Sequence, residues 1–168
     1  MSESSPSVRI IGCGNTLMGD DGVGIRVVET LKKERTGIPE GIDILDAGVC
    51  GLDILNLLEG VDKVIIIDSV VGSGLTKKGS ILRFDLEDLL NKDSEHVGIF
   101  SAHDIGISDI LAIGKHVQEL PEVIVFGIEI GEINHDLSMD LSPEVLAAVD
   151  SVIPYIFEEI ARNTLIKV

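Results

Sequence analysis

Four side chains that could bind a metal ion or move a proton stand where predicted strands end or helices begin. Asp21 closes the glycine-rich turn after the first strand, and Asp46 and Asp68 end the second and third strands. His103 lies in the loop FSAHDIG, which leads into a helix. Functional sites of open α/β sheets lie beyond the carboxyl ends of the strands. We therefore expect Asp21, Asp68 and His103 to meet in one cleft at that edge.

Two carboxylates and one imidazole make a ligand set for nickel, zinc, manganese or iron(II) that leaves coordination positions open. Asp68 carries the strongest indication, because it follows the four apolar residues VIII, where a carboxylate is costly unless it binds something. The other positions have structural alternatives. Asp21 could cap a helix, Asp46 could hold a turn, and a loop histidine such as His103 could be solvated.

The glycine-rich turn, GCGNTLMGDDGVG, favours a cation over a phosphate. Glycines between a strand and a helix often let a phosphate approach the helix N-terminus. Here Asp20 and Asp21 place two negative charges in the turn, no lysine or arginine accompanies them, and the third glycine of the dinucleotide pattern is missing. Asp20 itself is expected to cap a helix or to face solvent.

The two cysteines, Cys13 and Cys50, each stand beside glycine at a strand end. Their spacing matches neither a metal site nor a disulfide framework, which favours a reducing compartment. We expect both to be small buried residues, with a thiol nucleophile as the alternative.

Apolar runs predict five strands separated by helices. The third and fifth strands read VIIIDSV and VIVFGI, continuous runs typical of central strands covered on both faces. Residues 69–80 are short for a crossover helix, which favours a mixed sheet, and residues 91–102 are expected to form a loop at the functional rim. The order predicts a three-layer α/β/α sandwich with a mostly parallel, mixed, five-stranded twisted sheet. The predicted strands are residues 8–13, 42–46, 64–70, 80–85 and 123–128, and the predicted helices are residues 21–35, 54–58, 107–114 and a last helix capped by Ser142, opened by Pro143 and kinked at Pro154.

The composition predicts one soluble domain over residues 1–168. Acidic residues outnumber basic ones by 29 to 13, for a net charge of −16, so we expect neither nucleic acid nor anionic membranes as partners. The N-terminus lacks the cationic and apolar regions of a secretory signal, and no run is apolar enough to span a bilayer. We expect a cytoplasmic protein.

Three blocks of the chain resemble the hydrogenase maturation proteases, the endopeptidases that trim the C-terminal tail from the large subunit of [NiFe] hydrogenases. The resemblance continues through GIEIGEI and LSPEV and covers nearly the whole chain. It implies that Asp21, Asp68 and His103 are the catalytic, metal-contacting triad, and that Asp46 lies near the cleft. The three blocks, in order, are GCGNTLMGDDGVGIRVVETL, DAGVCGLDILNLLEGVDKVIIIDSV and SAHDIGISDIL.

The resemblance also implies that nickel belongs to the substrate. The large-subunit precursor would arrive with nickel inserted, and the carboxylate and histidine site would recognise it before the tail is cut. Other divalent metals are expected to occupy the site in vitro. The expected protein is a monomeric, aspartyl-type endopeptidase that acts on this precursor, without nucleic-acid or membrane partners.

Two chemical schemes and one rival class remain open. A metal-bound or aspartate-activated water could attack the peptide carbonyl, or the metal could serve docking while Asp21 or Asp68 acts as general base. The rival class is a non-catalytic metal- or nucleotide-binding protein with a Rossmann-like sheet.

Overall fold

A twisted sheet with helices on both faces forms the centre of the computed structural model, which describes residues 7–34, 36–72, 76–91, 100–101 and 106–165. Its strands are β1 (Val8–Gly12), β2 (Ile42–Asp46), β3 (Lys63–Val71), β4 (Ile81–Asp85), β5 (Phe100–Ser101) and β6 (Glu122–Glu129). Its helices are a 3-10 turn (Gly19–Gly22), α1 (Val23–Lys33), α2 (Ile54–Leu57), α3 (Leu86–Leu90), α4 (Ile107–Val117) and α5 (Pro143–Leu165). The five predicted strands and the three-layer α/β/α class are confirmed.

The strands follow the order β2-β1-β3-β6-β4. The first four in this order run parallel, and β4 closes one edge antiparallel to β6, so the predicted mixed sheet is confirmed. The parallel strands bring their carboxyl ends to one edge, where an α/β protein places its site.

The two-residue strand β5 lies in the stretch that the sequence predicted to be a loop. It pairs antiparallel with the end of β3, joining Val70 to Ser101 and Val71 to Phe100. Strand β1 pairs with β3 only as far as Ile67, so the backbone of β3 beyond that residue is open to a new neighbour. A segment of two residues is too short to show a strand pattern, so the sequence did not predict its pairing with the distant strand β3.

Strand β3 is buried on both faces, as its continuous apolar run predicted. Ile65 and Ile67 pack on one face with residues of α1 and α5, whereas Val64 and Ile66 pack on the other with residues of α2 and α4. Side chains alternate between the faces of a strand, so the two cores share one strand.

The start of α1 packs directly on the carboxyl ends of β1 and β3. A Cβ at Gly24 would overlap the carbonyl oxygens of Cys13 and Ile67, so only glycine permits this approach. The close contact holds the 3-10 turn, and Asp21 within it, against the edge of the sheet.

The helices differ from the prediction at their ends. The first predicted helix begins as the 3-10 turn and ends at Lys33, and the second is a single turn. Helix α3 was not predicted, and it begins with a capping box formed by Asp85 and Asp88. Pro143 opens α5 as predicted, and Pro154 lies inside the helix. No helix within the described ranges is both long and apolar enough to cross a bilayer.

Candidate active site

Asp21 lies in the 3-10 turn, 4% exposed, with both carboxylate oxygens engaged. The backbone N–H of Asn15 donates to Oδ2 at 3.0 Å, and the hydroxyl of Ser69 donates to Oδ1 at 2.7 Å. The glycine-rich turn thus wraps around the carboxylate that it carries. These bonds fix the orientation of Asp21 at the carboxyl edge of the sheet.

Asp68 lies inside β3 and is 2% exposed. The prediction that it ends the strand is wrong, because β3 continues to Val71 through its pairing with β6 and β5. It still lies one residue beyond the last β3 residue that pairs with β1. Its neighbour on β6 is Gly127, so no side chain of the adjacent strand stands directly beside the carboxylate.

Ser69 connects the two predicted acids. Its backbone N–H donates to Oδ1 of Asp68 at 2.8 Å while its hydroxyl binds Asp21, and the residue is fully buried. Sequence reasoning missed this role. The available signal was a hydroxyl directly after a buried acid, which by itself does not tell which carboxylate it faces.

A further buried acid at the same edge was also missed. Glu129 ends β6 and is 3% exposed, and its Oε1 accepts the backbone N–H of Gly131 at 2.8 Å. The carboxylate therefore shapes the turn that leaves β6.

Asp46 takes the structural alternative. Its side chain is exposed, and Oδ1 accepts the backbone N–H of Gly48 at 2.8 Å, an Asx-type turn. Gly48 has φ +58°, a conformation that favours glycine, and its carbonyl accepts the N–H of Gly14 at 2.8 Å. Asp46 thus supports the loop that lies against the glycine-rich turn.

His103 lies outside the described residues, so its meeting with Asp21 and Asp68 stays a prediction. In the described ranges, no three His, Cys, Asp or Glu side chains are grouped closely enough to hold a metal ion. The described part of the site is therefore the pair of buried aspartates joined through Ser69.

Asp20 ties the glycine-rich turn to α5. Its carboxylate accepts the backbone N–H of Ser142 at 2.6 Å and the Ser142 hydroxyl at 2.9 Å, and Lys78 lies 2.7 Å away. Asp20 is buried, so the expectation that it could face solvent is wrong; its carboxylate binds Ser142, the residue before α5, rather than an N–H of the first turn of a helix. The carbonyl of Ser142 accepts the first α5 bond, from Leu146.

Cys13 and Cys50 form a disulfide across 37 residues. Both are buried as predicted, but the expectation of unpaired thiols is wrong, and the cysteines therefore do not favour a reducing compartment. The spacing of the cysteines did not predict the disulfide, because the two are brought together by the Asx turn of Asp46, which folds the loop after β2 back onto the glycine-rich turn. The bridge joins these two loops at the carboxyl edge of the sheet.

An ion cluster lies at the opposite, amino edge. Glu159 is 2% exposed and binds Lys63 at 2.9 Å and Arg83 at 2.5 Å. Burial alone would raise the pKa of Glu159, but the hydrogen bonds from Arg83 and Lys63 and their positive charges lower it below its ordinary value. The cluster fastens α5 to the sheet far from the aspartates.

Known proteins match this chain along most of its length. The family model described as HycI, hydrogenase maturation protease, matches residues 25–159. A Methanocaldococcus jannaschii protein assigned to the same family is 34% identical over 92% of this chain and 97% of its own length. The hydrogenase 2 maturation protease of Escherichia coli is 27% identical over 93% and 92%.

Solved structures agree in fold. The [NiFe] hydrogenase maturation protease HybD from Thermococcus kodakarensis aligns with a TM-score of 0.72 at 30% identity, over 92% of this chain and 99% of that one. The hydrogenase maturating endopeptidase HybD from E. coli aligns with a TM-score of 0.72 at 25% identity, over 93% of both. The chain therefore belongs to the hydrogenase maturation protease family and is a hydrolase of peptide bonds.

Proposed function

We propose that this protein removes the C-terminal extension of a [NiFe]-hydrogenase large-subunit precursor after nickel has been inserted. The observation that carries the proposal is the pair of buried aspartates, Asp21 and Asp68, joined through Ser69 at the carboxyl edge of the sheet. A buried carboxylate is unfavourable without a partner or a chemical role. Because the chain belongs to a family of proteases, we assign peptide cleavage as the chemical role of these carboxylates.

In this proposal the substrate-borne nickel is recognised by Asp21, Asp68 and His103. Carboxylate and imidazole donors suit nickel, and three such donors leave room for ligands that the substrate brings. Strand β5 supports the contribution of His103: Ser101 pairs with Val70, two residues after Asp68, and precedes His103 by two residues. The same donors would accept other divalent metals in vitro.

Nickel bound in the precursor would polarise the peptide carbonyl or an attacking water. The protein's own residues then orient the attacking water and remove its proton. Asn15 and Ser69 hold Asp21 in one orientation, so that it can accept a proton from the attacking water or ligate the cation. Asp68 performs the other of these two tasks from the strand beside it.

A thiol mechanism has less support. Cys13 and Cys50 are joined to each other, so neither offers a free thiolate for attack. The carboxylates are the groups of the described site that can activate a water. We therefore assign the chemistry to an aspartyl-type, nickel-linked hydrolysis.

The proposed partner is the precursor alone, met by a monomeric cytoplasmic protease. A net charge of −16 disfavours nucleic acid and anionic membranes as partners. The same charge favours a substrate surface that is basic or neutral.

The test is incubation of the purified protein with a nickel-loaded large-subunit precursor, followed by mass spectrometry of the intact large subunit. Loss of a C-terminal peptide is expected, and a nickel-free precursor prepared in parallel should keep its tail. A precursor that stays intact in the presence of well-folded protein would support the rival hypothesis of a non-catalytic metal- or nucleotide-binding protein. Equal cleavage of both precursors would reject the recognition of nickel.

A further inference from the structure

Three exposed apolar side chains stand beside the candidate active site. Leu17, Leu137 and Met139 are 53%, 81% and 65% exposed, and we name them the apolar rim patch. Leu17 belongs to the glycine-rich turn, and the other two belong to the loop after β6. Grouped apolar surface with a polar surround is typical of an interaction site.

The backbone holds the patch together. Ser138 exchanges two hydrogen bonds with the glycine-rich turn, at 2.9 and 2.7 Å, and forms a parallel bridge with Met18. This register places Leu17 beside Leu137. Because side chains alternate along extended backbone, Met139 follows on the same side as Leu137. The three side chains therefore share one surface.

The same two loops hold the acids of the active site. The loop of Leu17 includes Asn15, whose N–H binds Asp21. The loop after β6 ends at Ser142, which binds Asp20 through both its N–H and its hydroxyl. A polypeptide that binds the patch therefore contacts the same loops that hold Asp20 and Asp21, and it lies close to Asp21.

The charges around the patch indicate what covers it. Glu132, Asp136 and Asp140 are exposed in the loop after β6, which contains no lysine or arginine. Lys78 and Arg26 lie nearby, and each of these cations has an acidic partner. Lys78 is bound to Asp20, and Arg26, which lines the same hollow as Met139, lies 3.7 Å from Glu29. A second copy of this chain would bring the same negative charges together, whereas a cationic segment would complement them.

We propose that the apolar rim patch is the docking surface for the large-subunit precursor. Its occupant is a segment with exposed apolar side chains flanked by lysine or arginine. The segment binds the patch while the tail reaches Asp21 and Asp68. The inference rests on the proposed function and names how that site selects its substrate.

The experiment compares wild type with the double variant Leu137→Ser/Met139→Ser on the nickel-loaded precursor. KM is expected to rise about tenfold or more, with kcat within about twofold, because apolar binding surface is lost without touching the aspartates. The control is Val117→Ser, an equally exposed apolar residue at the end of α4, near the amino end of β6. It should behave as wild type. Added salt should raise the wild-type KM.

Binding of the immobilised precursor, measured by interferometry, separates this inference from the proposed function. If wild type binds but does not cut, the proposed function fails, and loss of binding in the double variant still supports docking. An unchanged KM, equal binding by the double variant, or no wild-type binding overturns the docking surface. A wild-type dimer that the double variant dissociates assigns the patch to a second copy and also overturns it.

Discussion

The hydroxyl of Ser69 lies 2.7 Å from Oδ1 of Asp21, on a different element from the one that carries the aspartate. Its backbone N–H binds Asp68, the residue before it. One buried residue therefore connects the acid of the glycine-rich turn with the acid of β3. A shift of either element would change the relation between the two carboxylates.

Removing this hydroxyl is expected to slow the reaction. A hydrogen bond to a charged group contributes about 1.5 to 3 kcal/mol, so Ser69→Ala should lower kcat for tail cleavage by about tenfold to a hundredfold. Ser69→Thr, which keeps the hydroxyl, should recover most of the rate. The amide resonance of Asn15, which reports on Asp21, should move in the alanine variant.

Ser151→Ala is the matched control, since its hydroxyl bonds within the exposed face of α5. Its kcat should equal that of wild type. An alanine variant at Ser69 with wild-type kcat and an unmoved Asn15 resonance would show that the bond has no positioning role.

Replacing Asp68 by asparagine is expected to abolish tail cleavage without unfolding the protein. The amide keeps the shape and the oxygen that accepts the Ser69 N–H, but it removes the charge that would hold the cation or the water. The free energy of unfolding should stay within about 1 kcal/mol of wild type. Mass spectrometry of the precursor and a thermal melt report the two results, and a folded variant that still cuts would remove Asp68 from the mechanism.

The disulfide is expected to stabilise the fold and to be dispensable for chemistry. The double variant Cys13→Ser/Cys50→Ser should lose up to about 3 to 4 kcal/mol in urea unfolding, as expected for a closed loop of this length. Its rate per folded molecule should match wild type. A well-folded but inactive double variant, alongside an active Asp68→Asn, would instead support a thiol mechanism.

Glu159 should make the stability depend on pH at the acid end. Its pKa is lowered in the fold, so its contribution is present above the ordinary glutamate value of 4.5 and is lost as the pH falls through the folded value. Glu159→Gln should cost about 3 kcal/mol at neutral pH, because the buried Lys63 loses its buried charge partner and keeps only the half-exposed Glu122.

The control for this cluster is Glu158→Gln, at the exposed neighbouring position of α5. It should unfold like wild type in urea at pH 7. The loss of stability at acid pH should be smaller in Glu159→Gln than in wild type. Identical curves of unfolding free energy against pH would show that Glu159 does not cause the pH dependence.

Removing metal is expected to leave the isolated protein folded. The core on the two faces of the sheet is apolar and extensive, so ligation is not needed to offset chain entropy. Circular dichroism should be unchanged by excess EDTA. Unfolding by the chelator would reveal a structural metal.

The continuous apolar run of β3 was sufficient to predict a central strand, because a strand buried on both faces must be apolar at every position. The glycines and aspartates of the turn after β1 likewise predicted a helix there, within two residues of the start of α1, and a carboxylate at the edge. In both cases the controlling interactions are local in the chain. Hydrophobic spacing also placed α4 and α5 close to their true positions.

Contacts between distant segments were decided only by the tertiary structure. Whether Asp46 faced the cleft or held a turn depended on how its loop meets Gly14, and that meeting also joined Cys13 to Cys50. The partner of the Ser69 hydroxyl depended on the approach of the 3-10 turn to β3. These groups lie tens of residues apart in sequence, and their relative position follows from the pairing of β1 with β2 and from the packing of α1 against the sheet. A local sequence pattern carries no information about contacts between distant segments. The residues therefore indicated the chemistry of the site, but not which of them bind one another.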